Sequence, residues 1–333
     1  MADTFSITET GLQSVELAMQ AVSDNLANAQ TDGFKSESVD FGALLGEYVA
    51  GDTLGGGVSV TGISTDFSAG ATTQVNSPTD MAILGNGFFV LQNAGSGLQS
   101  FTRNGTVTES ANGTLTGFDG DNVMGYAINS SGNASGTLAP IVIPQGVLAP
   151  TASTTTTLTG NLNSASPVIA GAINPSDPAT YTSSVSAQVY DSLGNAHVLT
   201  FYFQNAGAGT PPAAENWNWT ATLDGSATGL TNNSGTVGFD TNGNIVSGAL
   251  PGSALTATVS GASPLSLNLN LSGLSQFASG AAVTASADGN AAGQPEGVQI
   301  SNNGVVSVAY SNGQNVNIAQ VALATFTNEQ GLT

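Results

Sequence analysis

Apolar residues in the first 30 positions recur at helical spacing. Leu12, Val15, Met19, Val22 and Leu26 follow one another at alternating steps of three and four, which places them on one face of a helix. The same alternation is the narrow seam of a coiled coil. Alanines at 18, 21 and 27 favour helix, and Thr8 and Thr10 can cap it. The pattern predicts a helix over residues 5–28, about 35 Å long. Leu17 falls on roughly the opposite face, which leaves room for a second neighbour. Asn28, Thr31, Asp32 and Gly33 then break the period, with Gly33 the natural positive-φ stop. Burying the five stripe side chains is worth on the order of 10 kcal/mol, whereas one such helix alone in water is only marginally stable. No stretch of similar kind follows, so the stripe either docks on its own domain or packs on something outside the chain.

From Val58 onward the period changes to two. Val58 and Val60 alternate with small polar residues, and Met81–Leu84, Asn86-Gly87 and Phe88–Leu91 read as a hairpin. Val185, Ala187 and Val189 alternate, Asp191–Gly194 turns, and Leu199, Phe201 and Phe203 alternate back. Trp217, Trp219, Ala221 and Leu223 follow, giving a meander. Near the end, Val306, Val308 and Tyr310 lead through Asn312-Gly313 to Val316 and Ile318. The expected fold is mainly β: two antiparallel β domains, the second inserted in the first, plus a long N-terminal amphipathic α-helix. The expected boundaries are a helix over 1–28, a linker over 29–57, a first β domain of 58–145 plus 285–333, and an inserted outer β domain of 146–284. Residues 146–180, rich in Thr, Ser and Pro, read as the crossing into the inserted domain.

Composition narrows the function classes. The 333 residues include 43 glycines, and only 7% are charged against a typical ~25%. There are 22 acids, and Lys35 and Arg103 are the only bases, giving a net charge of −20. Nucleic-acid binding lacks the basic patch that neutralises phosphates, and the same deficit removes a basic membrane-binding face. The chain has no cysteine, hence no disulfide or thiolate chemistry. Residues 1–30 hold no basic segment followed by an unbroken apolar core, so no signal peptide is visible. No run reaches the ~20 apolar residues of a membrane span.

Catalytic patterns are equally scarce. His197 is the only histidine, so a multi-histidine metal site cannot be built, and a structural place at a strand end is expected for it. Asp119 with Asp121, and Asp240–Asn244, faintly resemble calcium loops but lack the distal Glu, and turn chemistry accounts for them. No G-x-S-x-G elbow accompanies His197, and Gly55-Gly56-Gly57 lacks the lysine of a phosphate loop. The reading is of a protein that is not an enzyme and takes no metal or cofactor. In so base-poor a chain, Lys35 and Arg103 are each expected to face a buried or interfacial carboxylate.

The segment Asn25-Leu26-Ala27-Asn28, then Thr31, then Gly33-Phe34-Lys35, resembles the N-terminal signature of the bacterial flagellar rod and hook proteins. Val58–Phe67, Gly85–Leu91, Phe101–Gly105 and Asn122–Tyr126 are similar to the first β domain of that family's hook branch. Tyr190–His197 is similar to its outer-domain hairpin, and Gln320–Phe326 with Asn328–Leu332 to its returning segment. Asp24 stands where the family usually carries Asn, which keeps a capping side chain. The family continues into a second terminal helix that pairs with the first, and this chain stops at Thr333. The chain as given is therefore expected to polymerise poorly and to hold residues 1–30 loosely.

The resemblance implies a structural subunit of a flexible extracellular tube that transmits torque from rod to filament. It implies a homopolymer with contacts to rod, hook-cap and hook–filament junction proteins, no nucleic acid and no membrane insertion. Export without a cleaved signal peptide is implied too. The helix would line the inner tube, the first β domain the middle shell and the inserted domain the outer one. Leu12, Val15, Met19, Val22 and Leu26 become subunit-packing residues; Asn25, Asn28, Thr31, Gly33, Phe34 and Lys35 are the signature. A distal rod subunit is the main alternative, and a β-rich surface adhesin a more remote one. The missing bases also suggest assembly favoured at acidic pH, where carboxylates approach neutrality.

Overall fold

The computed structural model describes residues 2–44, 48–49, 52–53, 56–129, 131–249 and 252–332. They fall into two compact units. The first comprises Met1–Gln145, Glu296–Ala309 and Asn315–Thr333; the second comprises Gly146–Pro295 and Tyr310–Gln314. The architecture is mainly β with one α-helix among the described residues, Ala2–Ala27.

In the first unit, strand Glu37–Ala43 pairs antiparallel with Val58–Thr65, in a register that runs from Glu37 opposite Thr65 to Ala43 opposite Val58. The stretch expected as a linker over 29–57 thus carries half of a two-stranded ribbon. A bulge between Asp40 and Phe41 shifts the register, which breaks the alternation that would have marked a strand in the sequence. Residues 45–47, 50–51 and 54–55 of that stretch lie outside the described residues.

The larger sheet of this unit runs through Pro295–Ile300, Val305–Tyr310, Asn315–Val321, Asn122–Ile128, Phe88–Gln92 and Leu323–Ala324. Phe88, Phe89, Val90 and Leu91 are all buried, as befits a run with no polar alternation. Met81–Leu84, expected as the partner arm of a hairpin, is not a strand. Phe88–Gln92 instead pairs with Gln99–Thr102, with Asn122–Ile128 and with Leu323–Ala324. Those strands occupy both of its edges and leave none for the local arm.

The second unit is a sandwich of two five-stranded sheets. One has the order Ser183–Tyr190, Ala196–Ala208, Glu215–Leu223, Ser234–Phe239, Ile245–Ser247; the other has Leu230–Thr231, Leu255–Ala257, Leu265–Phe277, Thr155–Asn163, Ala282–Ala287. Phe201, Phe203, Trp217, Trp219 and Phe239 from the first meet Leu158, Leu162, Leu267 and Leu271 from the second in one apolar core. The Thr-rich run read as a crossing is therefore partly a strand. Thr156, Leu158 and Leu162 are fully buried, and Thr155–Asn163 pairs in parallel with Leu265–Phe277. Four consecutive threonines concealed the alternation.

His197 sits at one end of the first sheet of the sandwich. Its Nδ1 lies 2.7 Å from Asp224 Oδ2, and its Nε2 lies 3.5 Å from Asp191 Oδ2. Asp191 is sealed from solvent. It accepts hydrogen bonds from the Asn195 side-chain amide and from the Asn195 and Leu193 backbone N–H groups. These donors, the Asn195 amide foremost, hold its pKa down to about 2. The hydrogen bond to Asp224 raises the His197 pKa against its partial burial, and Asp191 adds to the rise. The imidazolium thus ties the 190–196 turn to the 223–226 turn. A raised folded-state pKa gives stability that is full below the ordinary histidine range, near 6.5, and is lost as pH rises through the folded value. His197→Ala is expected to destabilise this unit by about 1 kcal/mol. In thermal unfolding from pH 5.5 to 9, the gap between wild type and variant should narrow with rising pH. A gap constant across that range contradicts the charged clasp.

Candidate subunit-packing surface and its joint

The helix carries two seams. Leu12, Val15, Met19, Val22 and Leu26 are all exposed, Leu12 at 71% and Leu26 at 76%. Gly11, Ser14, Ala18, Ala21 and Asn25 repeat the same three-four alternation one residue earlier, about 100° around the helix. Ser14 and Ala21 are buried and their seam neighbours half-buried. This small-residue seam docks on the ribbon of Glu37–Ala43 and Val58–Thr65. The Ser14 hydroxyl donates back to the Thr10 carbonyl at 2.7 Å, so its polarity is satisfied within the helix. The expectation that residues 1–30 are loosely held needs correcting to that extent: the helix has an internal partner, on a side with almost no hydrophobic signal. Leu17, half-buried, lies toward the docked side.

The signature residues build the joint where the helix ends. Asn25 Nδ2 donates to the Glu37 carbonyl at 2.7 Å, and its Oδ1 accepts from the Glu37 N–H at 2.9 Å. Asn28 Nδ2 donates to the Asp24 carbonyl and to Asp24 Oδ1, and Asn28 Oδ1 accepts from the Thr31 hydroxyl. The Thr31 and Phe34 N–H groups bond to the Asn28 and Thr31 carbonyls, completing a tight exit from the helix. Gly33 has φ of +78° and runs against the next wall of the joint. A Cβ there would come within 2.5 Å of the Asn104 nitrogen and 2.7 Å of the Arg103 carbonyl carbon.

Lys35 and Arg103 line one open cleft of about 570 Å³, together with Asp66 and Asp80. Neither base meets a carboxylate within ion-pair distance among the described residues, contrary to the expectation. Lys35 Nζ donates to the Ser68 carbonyl. Arg103 Nη1 donates to the Gly85 carbonyl at 2.9 Å, and its guanidinium lies 5.0 Å from the centre of the Phe88 ring. Backbone oxygens and an aromatic face replace the carboxylates. Burial, and then the nearby Arg103 charge, hold the Lys35 amine below its usual range, while Asp66 and Glu329 pull the other way. Asp66 takes the Ser68 N–H and Asp80 the Val107 N–H. Lys35, Asp66, Asp80 and Nη1 of Arg103 thus each hold backbone in place, while Arg103 Nε and Nη2 are buried without a hydrogen-bond partner among the described residues.

Sequence reasoning missed the small-residue seam and the aromatic seat of Arg103. The seam did leave a signal, a run of Gly, Ser and Ala at heptad-like steps, which a search for apolar residues passes over. The seat of Arg103 left none, because Phe88 is 15 residues away and reaches it through the sheet.

A β-rich body whose helix holds one seam to its own domain and presents a second, apolar seam uncovered is the build of a self-assembling structural subunit. Comparison with known proteins agrees. Residues 82–162 match the model of the flagellar hook protein FlgE/F/G D1 domain, and residues 157–290 that of the flagellar basal body protein FlaE D2 domain. The flagellar hook protein FlgE of Escherichia coli K12 is 31% identical, over 98% of this chain and 80% of its own length. That of Salmonella typhimurium LT2 is 32% identical, over 99% and 81%. The crystal structure of Helicobacter pylori flagellar hook protein FlgE2 shares the fold, with a TM-score of 0.55 at 17% identity, covering 78% of this chain and 91% of that one. The chain belongs to the flagellar hook protein family, and it is a structural component of the bacterial flagellum.

Gly33 offers a direct check on the joint. Gly33→Ala adds a methyl group against fixed backbone at a φ that disfavours any side chain, and should cost more than about 2 kcal/mol locally. Hydrogen exchange should rise in Asn25–Lys35 and in the Arg103–Thr106 segment, with the second unit unchanged. Unaltered protection in both segments contradicts the close approach.

Proposed function

We propose that this hook subunit polymerises through the Leu12, Val15, Met19, Val22 and Leu26 seam, which packs against helices of neighbouring copies. The observation that carries this reading is the exposure of all five side chains, between 55% and 76%, along one straight line of the helix. An uncovered apolar line of that length is a cost to a monomer and a gain to an assembly. The resulting tube passes motor torque from rod to filament while it bends. Asn25, Asn28, Thr31, Gly33, Phe34 and Lys35 serve it as the joint between the packing helix and the β body. The tube meets rod, hook-cap and hook–filament junction proteins at its ends, and its subunits reach the cell exterior without a cleaved signal peptide. Surfaces rich in Ser, Thr, Asn and Gly form few strong directional ion pairs, so neighbouring copies can slide as the tube turns.

Leu12→Ser combined with Val22→Ser should abolish polymerisation, followed by sedimentation or electron microscopy of the hook protein. Monomer stability should stay within ~0.5 kcal/mol of wild type, because both side chains are exposed. Wild-type assembly by this variant defeats the proposed seam. Electrostatics supplies a second check. Copies with net charge −20 repel one another, so assembly should speed up with added salt and on acidification from pH 7 toward ~4, where ordinary carboxylates begin to protonate. Rates that are flat against both variables rule out charge repulsion as a brake.

A further inference from the structure

The ribbon that receives the helix has two open edges, and a side-chain amide closes each of them at the same rung. Glu37 and Thr65 face each other across the ribbon. The Glu37 N–H and C=O both turn outward, to Asn25 Oδ1 at 2.9 Å and Asn25 Nδ2 at 2.7 Å. The Thr65 N–H and C=O also turn outward, on the other side, to Gln330 Oε1 at 3.1 Å and Gln330 Nε2 at 2.7 Å. The four bonds agree with the ladder. In an antiparallel pair, two facing residues either exchange both bonds with each other or turn both groups away. Glu37 and Thr65 are a pair of the second kind. The amides of Asn25 and Gln330 therefore act as one-residue strands, extending the ribbon outward by a rung on each side.

The two amides come from segments 305 residues apart in the chain. Asn25 stands in the last turns of the packing helix, on its docked seam. Gln330 stands in the short 3-10 turn Glu329–Gly331 of the returning segment. That segment is anchored nearby by Phe326, whose ring meets Phe101 at 4.9 Å and Phe88 at 5.8 Å, edge to face. Phe88 in turn carries the Arg103 guanidinium. One rung of the ribbon thus gathers the end of the helix, the base of the ribbon and the returning segment.

We propose that Asn25 and Gln330 are paired positioning residues, a two-sided amide clasp on the Glu37–Thr65 rung that fixes the packing helix and the returning segment at one joint. The clasp sets the direction in which the apolar seam is presented. Each amide also covers N–H and C=O groups that would otherwise lie open for pairing with another chain. A carboxamide is needed for this task, because it alone among short side chains offers a donor and an acceptor side by side at neutral pH. The consequence for the hook rests on the reading of the seam as a subunit contact, whereas the clasp itself does not.

The test uses the single chain first. It has no cysteine, so Gln13→Cys and Ser135→Cys, both at exposed positions of the first unit, give a clean spin-label pair between helix and β body. Asn25→Ala, the near-isosteric Asn25→Asp, Gln330→Ala and Gln330→Glu are compared on that background. Exchange of the Glu37 amide should quicken on the order of tenfold in Asn25→Ala, and that of Thr65 likewise in Gln330→Ala. The strand Phe88–Gln92 should keep its protection. The Gln13–Ser135 distance distribution should broaden in both Asn25 variants, since Asn25→Asp keeps the shape but sets a carboxylate against the Glu37 carbonyl. Unchanged exchange at Glu37 and Thr65, or distributions as narrow as wild type, overturns the clasp. So does a general loss of protection in every variant, which would mark mere destabilisation. In the assembling hook protein, clasp variants should still assemble but into tubes of irregular curvature, and tubes of wild-type shape count against the clasp. Should Leu12→Ser with Val22→Ser leave assembly intact while the exchange results hold, the seam reading fails and the clasp stands.

Discussion

A chain with two bases and 22 acids cannot balance its carboxylates with ion pairs, and the structure is organised around that constraint. Outside the contacts to His197, several of its carboxylates are held instead by N–H and O–H donors. Asp288 accepts from the Thr154 and Thr155 N–H groups at 2.7 Å each and from the Thr154 hydroxyl. Asp240 accepts from the Asn242 and Asn244 N–H groups. Asp191 does the same around Asn195. In Asp240 the Asn244 N–H is the chief cause of a lowered pKa, and in Asp288 the Thr donors outweigh an opposing burial. A charge satisfied by backbone donors fixes a turn without demanding a cation. The result is a protein that can afford almost no lysine or arginine and still keep its loops in order.

The two cations that remain share one place in the fold. Both border the cleft beside the signature segment, and both bind carbonyl oxygens rather than acids. Two like charges in one cleft repel, and burial first and then the Arg103 charge hold the Lys35 amine below its usual range, so other contacts must hold the arrangement. The structure supplies it in the Gly33 approach to the Arg103–Asn104 peptide, the Phe88 face under the guanidinium and the Phe326 ring against Phe88 and Phe101. The joint is thus built from steric fit, aromatic contacts and neutral hydrogen bonds.

Legibility from sequence followed the same physics. The apolar stripe was readable because Leu, Val and Met carry a strong periodic signal. The aromatic strands around Phe201, Phe203, Trp217 and Trp219 were readable for that reason too. The second helical seam was not, because Gly, Ser and Ala bury little area and look like a neutral face. The ribbon strand Glu37–Ala43 was hidden by its bulge, and Thr155–Asn163 by its run of threonines. Its parallel partner, more than 100 residues away, gives no local sign. Among the site residues, the positions of the signature were legible but their tasks were not, since a capping Asn and a clasping Asn look alike in a sequence.

If the apolar seam is the subunit contact proposed above, two seams about 100° apart on one helix define a path for force across this unit. A load applied to the apolar seam reaches the helix as a whole, because an α-helix with its hydrogen bonds intact is stiff along its axis. In the proposed assembly it would leave through the docked side, where Ser14 and Ala21 are buried and Leu17 is half-buried. Small contacts give a short, hard path, whereas a layer of long side chains would yield first. The polar end of that seam then matters more than its apolar counterpart. Apolar contacts resist separation but slide along the helix axis at little cost, and the paired hydrogen bonds of Asn25 to Glu37 resist that slide.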